Sequence, residues 1–290
     1  MTTLGLVFLP QLAPERLRAV SQAADEAGLE ELWLWEDCFF ESGVASAAAA
    51  LAWTNRAGVG IGLLPVPLRN VALAAMEIAT MQRLFPGRVR VAVGHGVQSW
   101  MGQVGARAAS PLSLLREHLS ALRCLLDGQE VTTTGQYVRL DGVRLEWPPL
   151  APPELLAGAS GPRSLRLSGE LADGTVLTGG TSPDGVRRAR GLIEQGRAVS
   201  GRDGRHDMVV YLLAATGPGA EDRLLREYQK WGFGPGERVG VAGDADEVAR
   251  AIGEFVRAGA GTVVLQPTAD EPDMAGFARF VARQVRPLVR

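Results

Sequence analysis

Residues Ala57 to Gly105 read AGVGIGLLPVPLRNVALAAMEIATMQRLFPGRVRVAVGHGVQSWMGQVG. An apolar strand (Val59–Leu64) enters a proline-bearing loop. Asn70 can cap the apolar helix that follows (Val71–Phe85), and Pro86-Gly87 stops it. A second apolar strand (Val89–Val93) then ends in a glycine-rich loop. Both loops lie just beyond the carboxyl end of a strand, the edge where parallel α/β proteins place ligands because loops there vary while the scaffold stays rigid. The glycine pairs do not complete a dinucleotide fingerprint. Pro65 stands where Gly60-Ile-Gly62 would need the last residue of GxGxxG, and Ser99 stands there for Gly94-His-Gly96. A barrel is therefore favoured over an open doubly wound sheet.

The same strand–helix alternation extends in both directions. Thr3–Leu9 and Glu31–Trp35 read as strands. Between them Leu17, Val20, Ala24 and Ala27 share one helix face that Gly28 ends. Val44–Arg56 is an alanine-rich helix. Ser110-Pro111 opens a helix with the stripe Leu115, Leu119, Leu122, Leu126. From Gln129 to Pro153 the rhythm breaks into three short strand candidates (Val131–Thr134, Tyr137–Leu140, Val143–Trp147) with Asp141-Gly142 as a turn. This stretch has too few apolar residues for its own core and reads as an insertion. Strands Glu154–Ala159, Thr175–Thr178, Met208–Ala214 and Thr262–Gln266 follow, each with its helix, and Asp244 with Glu247 forms a capping box. The loop Gly232–Gly236 follows the helix Leu224–Trp231. Eight alternations of near-continuous apolar strands with helices imply an α/β parallel sheet covered on both faces. The expected fold is a single (β/α)8 TIM barrel over residues 1–290, with a small β-hairpin insertion at 129–153 after the fourth helix.

A chain of 290 residues fits that size, which is typically ~250 residues. A net charge of −2 gives no footing for nucleic acid or an acidic membrane surface. The N-terminal apolar run Leu4–Leu9 is too short for a signal peptide's apolar region and lacks basic residues before it, and the alanine-rich run Val44–Trp53 is too short to span a bilayer, so a cytoplasmic protein is expected. Lys230 is the only lysine, placed in a surface helix, which argues against Schiff-base chemistry. Two distant cysteines and three scattered histidines form no disulfide framework or metal-ligand pattern, so no metal site is expected.

Candidate chemistry falls on successive strand ends. Glu36 and Asp37 supply carboxylates after the second strand. Gly62 marks a bulge or a close backbone approach. Gly94-His95-Gly96 lets backbone come near a flat ring, and His95 can exchange a proton near neutral pH. Trp100 and Met101 can wall a pocket. Ala159-Ser160-Gly161-Pro162-Arg163 and Thr178-Gly179-Gly180-Thr181-Ser182 each open a helix, where free N–H groups favour an anion. Gln266-Pro267 is a weaker pocket candidate.

The ordered set Gly60-Ile-Gly-Leu-Leu-Pro65, Pro67-Leu-Arg-Asn70, Pro86-Gly-Arg88 and Gly94-His-Gly96 resembles the luciferase-like monooxygenase superfamily. It is most similar to the branch that uses the deazaflavin coenzyme F-420. The resemblance implies a non-proline cis peptide at Gly62-Leu63 beneath the ring. It also implies a phosphate site in the loops carrying Ser160, Gly161, Arg163, Gly179 and Gly180. Asp37 and His95 are the implied catalytic pair, and Gly62, Leu63, Gly94 and Gly96 shape the ring site. Cys38 stands where the family commonly has His, and Val97 where the sugar-phosphate branch has a catalytic Glu; both depart from that branch. The implied activity is hydride transfer between F-420 and a small organic substrate, in a homodimer. The rivals are an FMN-dependent monooxygenase, a non-catalytic flavin- or deazaflavin-binding barrel and, at a greater distance, a phosphate-handling isomerase or lyase.

Overall fold

The computed structural model describes residues 2–234 and 236–289. Met1, Arg290 and Pro235, the last within the expected Gly232–Gly236 loop, lie outside the described residues. Eight parallel strands close on themselves: β1 (Thr3–Phe8), β2 (Glu31–Leu34), β3 (Gly58–Pro65), β4 (Val89–Gly94), β7 (Leu155–Gly158), β8 (Gly174–Val176), β9 (Asp207–Ala215) and β11 (Thr262–Pro267). The ring is completed by β11 beside β1 and by β8 beside β9. A short β10 (Gly240–Ala242) adds to β9 outside the ring. Helices α1 (Leu17–Ala27), α2 (Gly43–Trp53), α3 (Val71–Leu84), α5 (Pro111–Leu126), α6 (Pro162–Leu171), α7 (Pro183–Ser200), α8 (Ala220–Trp231), α9 (Ala245–Ala258) and α10 (Met274–Phe280) connect and follow the strands. The expected barrel is the observed one.

The caps read from sequence are present. Asn70 accepts from the Ala72 N–H at 2.9 Å, and Asp244 and Glu247 form the reciprocal capping box. Helix α2 stops three residues earlier than expected. The N–H groups of Asn55, Arg56 and Ala57 leave the helix to donate to the Asp25 carboxylate. A further short helix, α4 (Gln98–Gln103), sits in the loop after β4. The insertion is a two-stranded hairpin, β5 (Val131–Thr134) with β6 (Arg139–Val143). Its turn is not at Asp141-Gly142, which lies within β6 at a register shift where Gly142 takes φ +59°. Glu117 on α5 sets the turn instead, accepting from the N–H groups of Gln136, Tyr137 and Val138.

Two apolar layers make the core. One lies between strands and helices. The other fills the ring itself with Val7, Trp33, Leu156, Val209, Tyr211 and Val264 among others. Trp33 lies across this interior. A methyl at Gly5 would come within 2.8 Å of its indole, and one at Gly60 would overlap it. Below the indole, at the amino end of the strands, Arg90 bonds Asp207 at 2.7 Å and Glu31 at 3.2 Å. Glu31 also accepts from Trp33 Nε1 at 2.8 Å. The buried Glu31 carboxyl is pushed above its ordinary range by desolvation, which outweighs the Arg90 charge. This plug closes the floor of the ring, so the barrel interior opens at the other end.

Gly169 and Gly196 bring α6 and α7 into backbone contact; a methyl on either would overlap the other helix, at Ile193 and Arg166. Their amino ends are thereby held side by side at the carboxyl edge of the barrel.

Gly60→Ala should overpack the interior and lower the unfolding free energy by ~1–3 kcal/mol. Gly191→Ala, in the exposed middle of α7 with open space around it, should raise it by ~0.5–1 kcal/mol. Chemical denaturation of both variants checks the opposite signs.

Candidate active site at the carboxyl edge of the barrel

A cavity of about 520 Å³ opens at this edge. Its base is built by β3. Strand β3 shifts register by one residue between Ile61 and Leu64, and the Gly62–Leu63 peptide within the shift is cis. The Leu63 side chain lies over Gly94 and Gly158, where any Cβ would collide with it. Tyr211, fully enclosed below, donates its hydroxyl to the Gly62 carbonyl at 3.4 Å and meets Trp35 edge-on at 5.1 Å. Burial raises the Tyr211 phenol well above its ordinary pKa, so it stays a donor.

Of the residues singled out from sequence, Asp37, Gly62, Leu63, His95, Gly96, Ser160, Gly179 and Gly180 line this one cavity. Gly94 sits behind Leu63. Gly161 and Arg163 lie beyond the rim, Gly161 as the N-cap of α6 and Arg163 exposed in its first turn. No described side chain caps α6, whereas Ser182 caps α7 by accepting from the Gly185 N–H. The two helix starts are thus unequal: α6 keeps its first-turn donors, and the α7 corner offers the Gly179-Gly180 backbone instead. Phe233 packs on Gly180, which has φ +80°, and with Trp231 forms the far wall.

His95 is tied on both nitrogens. Nδ1 lies 3.2 Å from the Pro111 carbonyl, which only accepts, so Nδ1 carries the proton and donates. Nε2, 2.8 Å from Ser164 Oγ, then accepts from that hydroxyl. Burial holds the imidazole below its ordinary pKa, against the Pro111 bond that raises it. The ring faces the cavity while its nitrogens stitch the β4 loop to the first turns of α5 and α6.

The two adjacent carboxylates differ. Glu36 is bound by Arg69 through both oxygens, one bond at 2.8 Å, and accepts from the Gly43 N–H at 2.8 Å at the start of α2. Asp37 has no cation beside it, and burial alone raises its pKa. Glu41, whose Oε1 is buried without a described partner, is raised by burial and by the Asp37 charge.

Sequence reasoning missed Trp35, Tyr211, Phe233 and the depth of Gln266. Gln266 is 3% exposed, and its Oε1 has no partner among the described residues. Trp35 Nε1 comes near the Tyr211 hydroxyl without the geometry of a hydrogen bond. The one available signal was a polar residue inside an apolar strand run, as in Thr262–Pro267.

A closed parallel barrel with a glycine-lined, largely apolar cavity beside an open helix start is a cofactor-binding barrel in form. The chain belongs to the luciferase-like monooxygenase family, which it matches over residues 4–233. It is 24% identical to a 5,10-methylenetetrahydromethanopterin reductase of Archaeoglobus fulgidus, with 99% of each chain covered. It is 28% identical to the protein of that name from Methanolobus tindarius, over 72% of this chain and 64% of the other. A solved F-420-dependent secondary alcohol dehydrogenase, bound to an F-420–acetone adduct, shares the fold with a TM-score of 0.89 at 21% identity, over 100% of this chain and 99% of that one. Among the described residues no group of side chains could hold a metal ion, and no helix is long and apolar enough to cross a membrane.

His95→Phe removes both tethers and should lower the unfolding free energy at pH 7 by ~1–3 kcal/mol, and Ser164→Ala by ~1 kcal/mol. Because the folded imidazole titrates below the unfolded one, the unfolded chain takes up the proton first. The advantage of the parent over His95→Phe should therefore shrink as pH falls below ~6.5. Denaturant titrations across that range check it.

Proposed function

We propose that this chain is an oxidoreductase that binds coenzyme F-420 in the cavity and transfers a hydride between it and a small organic molecule. The observation that carries the reading is the pairing of an apolar cavity with polar groups left for a ligand. Leu63 and the glycines around it offer a flat apolar seat. Gln266 Oε1 lies buried with no partner among the described residues. The uncapped α6 start and the Gly179-Gly180 backbone offer N–H groups to a phosphate. These residues fit a tricyclic ring with a phosphorylated side arm. Relatives named as 5,10-methylenetetrahydromethanopterin reductases and as F420-dependent glucose-6-phosphate dehydrogenases support the choice of cofactor and favour turnover over passive binding.

F-420, when bound, supplies a carbon that accepts or donates hydride. The protein supplies the rest. Gly62, Leu63, Gly94, Gly96 and Gly158 shape the seat. Ser160, Gly161, Gly179 and Gly180 hold the phosphate, with Arg163 adding charge from the rim. Asp37 holds or moves a proton at its carboxyl, and burial, which raises its pKa, favours the protonated form that task needs. His95 has both nitrogens engaged and acts by positioning the α6 start.

We also read the chain as one barrel domain over 1–290 with 129–153 inserted, acting as a homodimer in the cytoplasm. Leu73 and Met76, exposed one turn apart on α3, support an apolar contact between copies, and the free thiols of Cys38 and Cys124 fit a reducing compartment.

Titrating the purified protein with F-420 and FMN side by side tests the cofactor. F-420 should bind and FMN should bind at least tenfold more weakly; FMN binding the tighter would overturn the choice. Asp37→Asn should lower kcat/KM by about a hundredfold, within the usual ~10²–10⁴ range for an acid–base group. The pH profile of the parent should show a limb above the ordinary Asp value of 3.8, and Asp37→Asn should lack it.

A further inference from the structure

We infer that the closed end of the barrel carries a second binding site, built by α7 and the loops before β9 and β11, which takes a phosphate group, free or on a small organic molecule. The site is separate from the cavity at the carboxyl edge, and it stands whatever cofactor that cavity binds. A cavity of about 310 Å³ opens there, lined by Arg190, Glu194, Arg205, His206 and Asp207 among others. That volume falls at the lower end of the ~300–1,000 Å³ usual for small-molecule sites.

The two carboxylates of this cavity are already answered. Asp207 accepts from Arg90 at 2.7 Å and from Thr262 at 2.8 Å, and the exposed Glu194 pairs with Arg197 at 3.6 Å. The two arginines are not. Arg190 lies across Gly259, with Nη1 3.3 Å from where a Cβ would stand, and meets no carboxylate among the described residues. Arg205 lies across Gly261 in the same way and reaches only Asp207 Oδ1 at 3.4 Å, on a carboxylate that Arg90 neutralises. Close by, Arg123 and Arg202 share the single carboxylate of Asp173. Positive charge is thus in excess on this face. The two anchor points are two residues apart, at most ~7 Å along the chain, so one multidentate anion can engage both guanidiniums.

His206 adds a nitrogen left over by the fold. Its Nε2 lies 2.8 Å from Thr175 Oγ1, which lies 2.6 Å from Ser168 Oγ, and its buried Nδ1 has no partner among the described residues. Burial, and then the Arg197 charge, pushes the imidazole down to about 4, against Asp173 and Asp207, so the ring is neutral near pH 7. The two hydroxyls can turn so that Ser168 donates to Thr175 and Thr175 to Nε2. The ring proton then sits on Nδ1, as a donor for an anion or for its bridging water. A carboxylate brings two oxygens and one charge. A phosphate ester brings three free oxygens and about 1.5–2 charges at pH 7, which matches two guanidinium forks and one N–H.

Histidine-ring NMR of the whole protein tests the inference, with inorganic phosphate or glycerol phosphate added at constant ionic strength and chloride as the control. His206→Gln and His95→Phe assign the two reporting signals, one at each end of the barrel. The His206 signal should shift saturably with a dissociation constant below ~1 mM. The double variant Arg190→Ala with Arg205→Ala, checked by circular dichroism for an unchanged fold, should weaken that binding by about tenfold or more. Tighter binding of glycerol phosphate assigns a phosphate ester to the site, and equal binding assigns free phosphate. A His206 signal that stays still, one that chloride moves as far, or binding untouched in the double variant would each overturn the site. Movement of the His95 signal alone would place phosphate at the α6 start and overturn it as well.

Discussion

A closed ring of eight strands has an interior that side chains must fill, and here one indole does most of that filling. Trp33 crosses the barrel above the Arg90–Glu31–Asp207 plug and leaves room for no side chain at Gly5 or Gly60. This single placement explains why β3 carries glycine at alternate positions. The glycines are there so that a neighbouring strand's side chain can lie flat against the backbone. Two residues further along, the same interior column continues with Tyr211, which meets Trp33 edge-on at 6.4 Å and the Gly62 carbonyl at its hydroxyl. The packed floor therefore ends where the Leu63 seat begins, and the cavity inherits its rigidity from a core residue that never touches it.

Charge is distributed along the barrel axis with the same economy. At the closed end, Arg90 satisfies two buried carboxylates, so that layer is polar and internally neutralised. At the open end, the guanidinium of Arg69 is held by Glu36 and Glu77 and does not line the cavity. What the cavity retains is backbone N–H on one side and an unpartnered carboxyl on the other. Among the described residues no basic side chain lines the cavity between them.

Much of this was legible in the chain. Near-continuous apolar strands of period two, helices of period 3.6 and caps at Asn70, Ser110, Ser182 and Asp244 are local signals, and they located the eight strands and most helices. The strand ends then named the loops that meet at the cavity. The misses have long-range causes. The hairpin turn looked local at Asp141-Gly142 but is set by Glu117, some twenty residues earlier on α5. Helix α4 hid inside a glycine-rich loop, and β10 is three residues paired to a strand already in the ring. Trp35 and Tyr211 were invisible as site residues, and Gln266 read only as a weaker pocket candidate, because inward- and core-facing positions of a doubly covered strand share one apolar vocabulary.

The two adjacent carboxylates show why loop position alone does not assign a role. Glu36 and Asp37 come from one strand end, and only the family resemblance, not their position, ranks Asp37 first. The fold separates them by what lies within reach. Glu36 meets the start of α2 and Arg69, which arrives from the loop after β3; its carboxylate is saturated, and its work is to lock two loops together. Asp37 lines the cavity and meets no cation among the described residues, so burial holds its proton more tightly than usual. The immobilised neighbour keeps Asp37 in place, since a loop pinned by a bidentate ion pair one residue away has little freedom to let Asp37 swing to solvent. The reach of a single arginine thus decides which of two neighbouring carboxylates is paired and which faces the cavity alone.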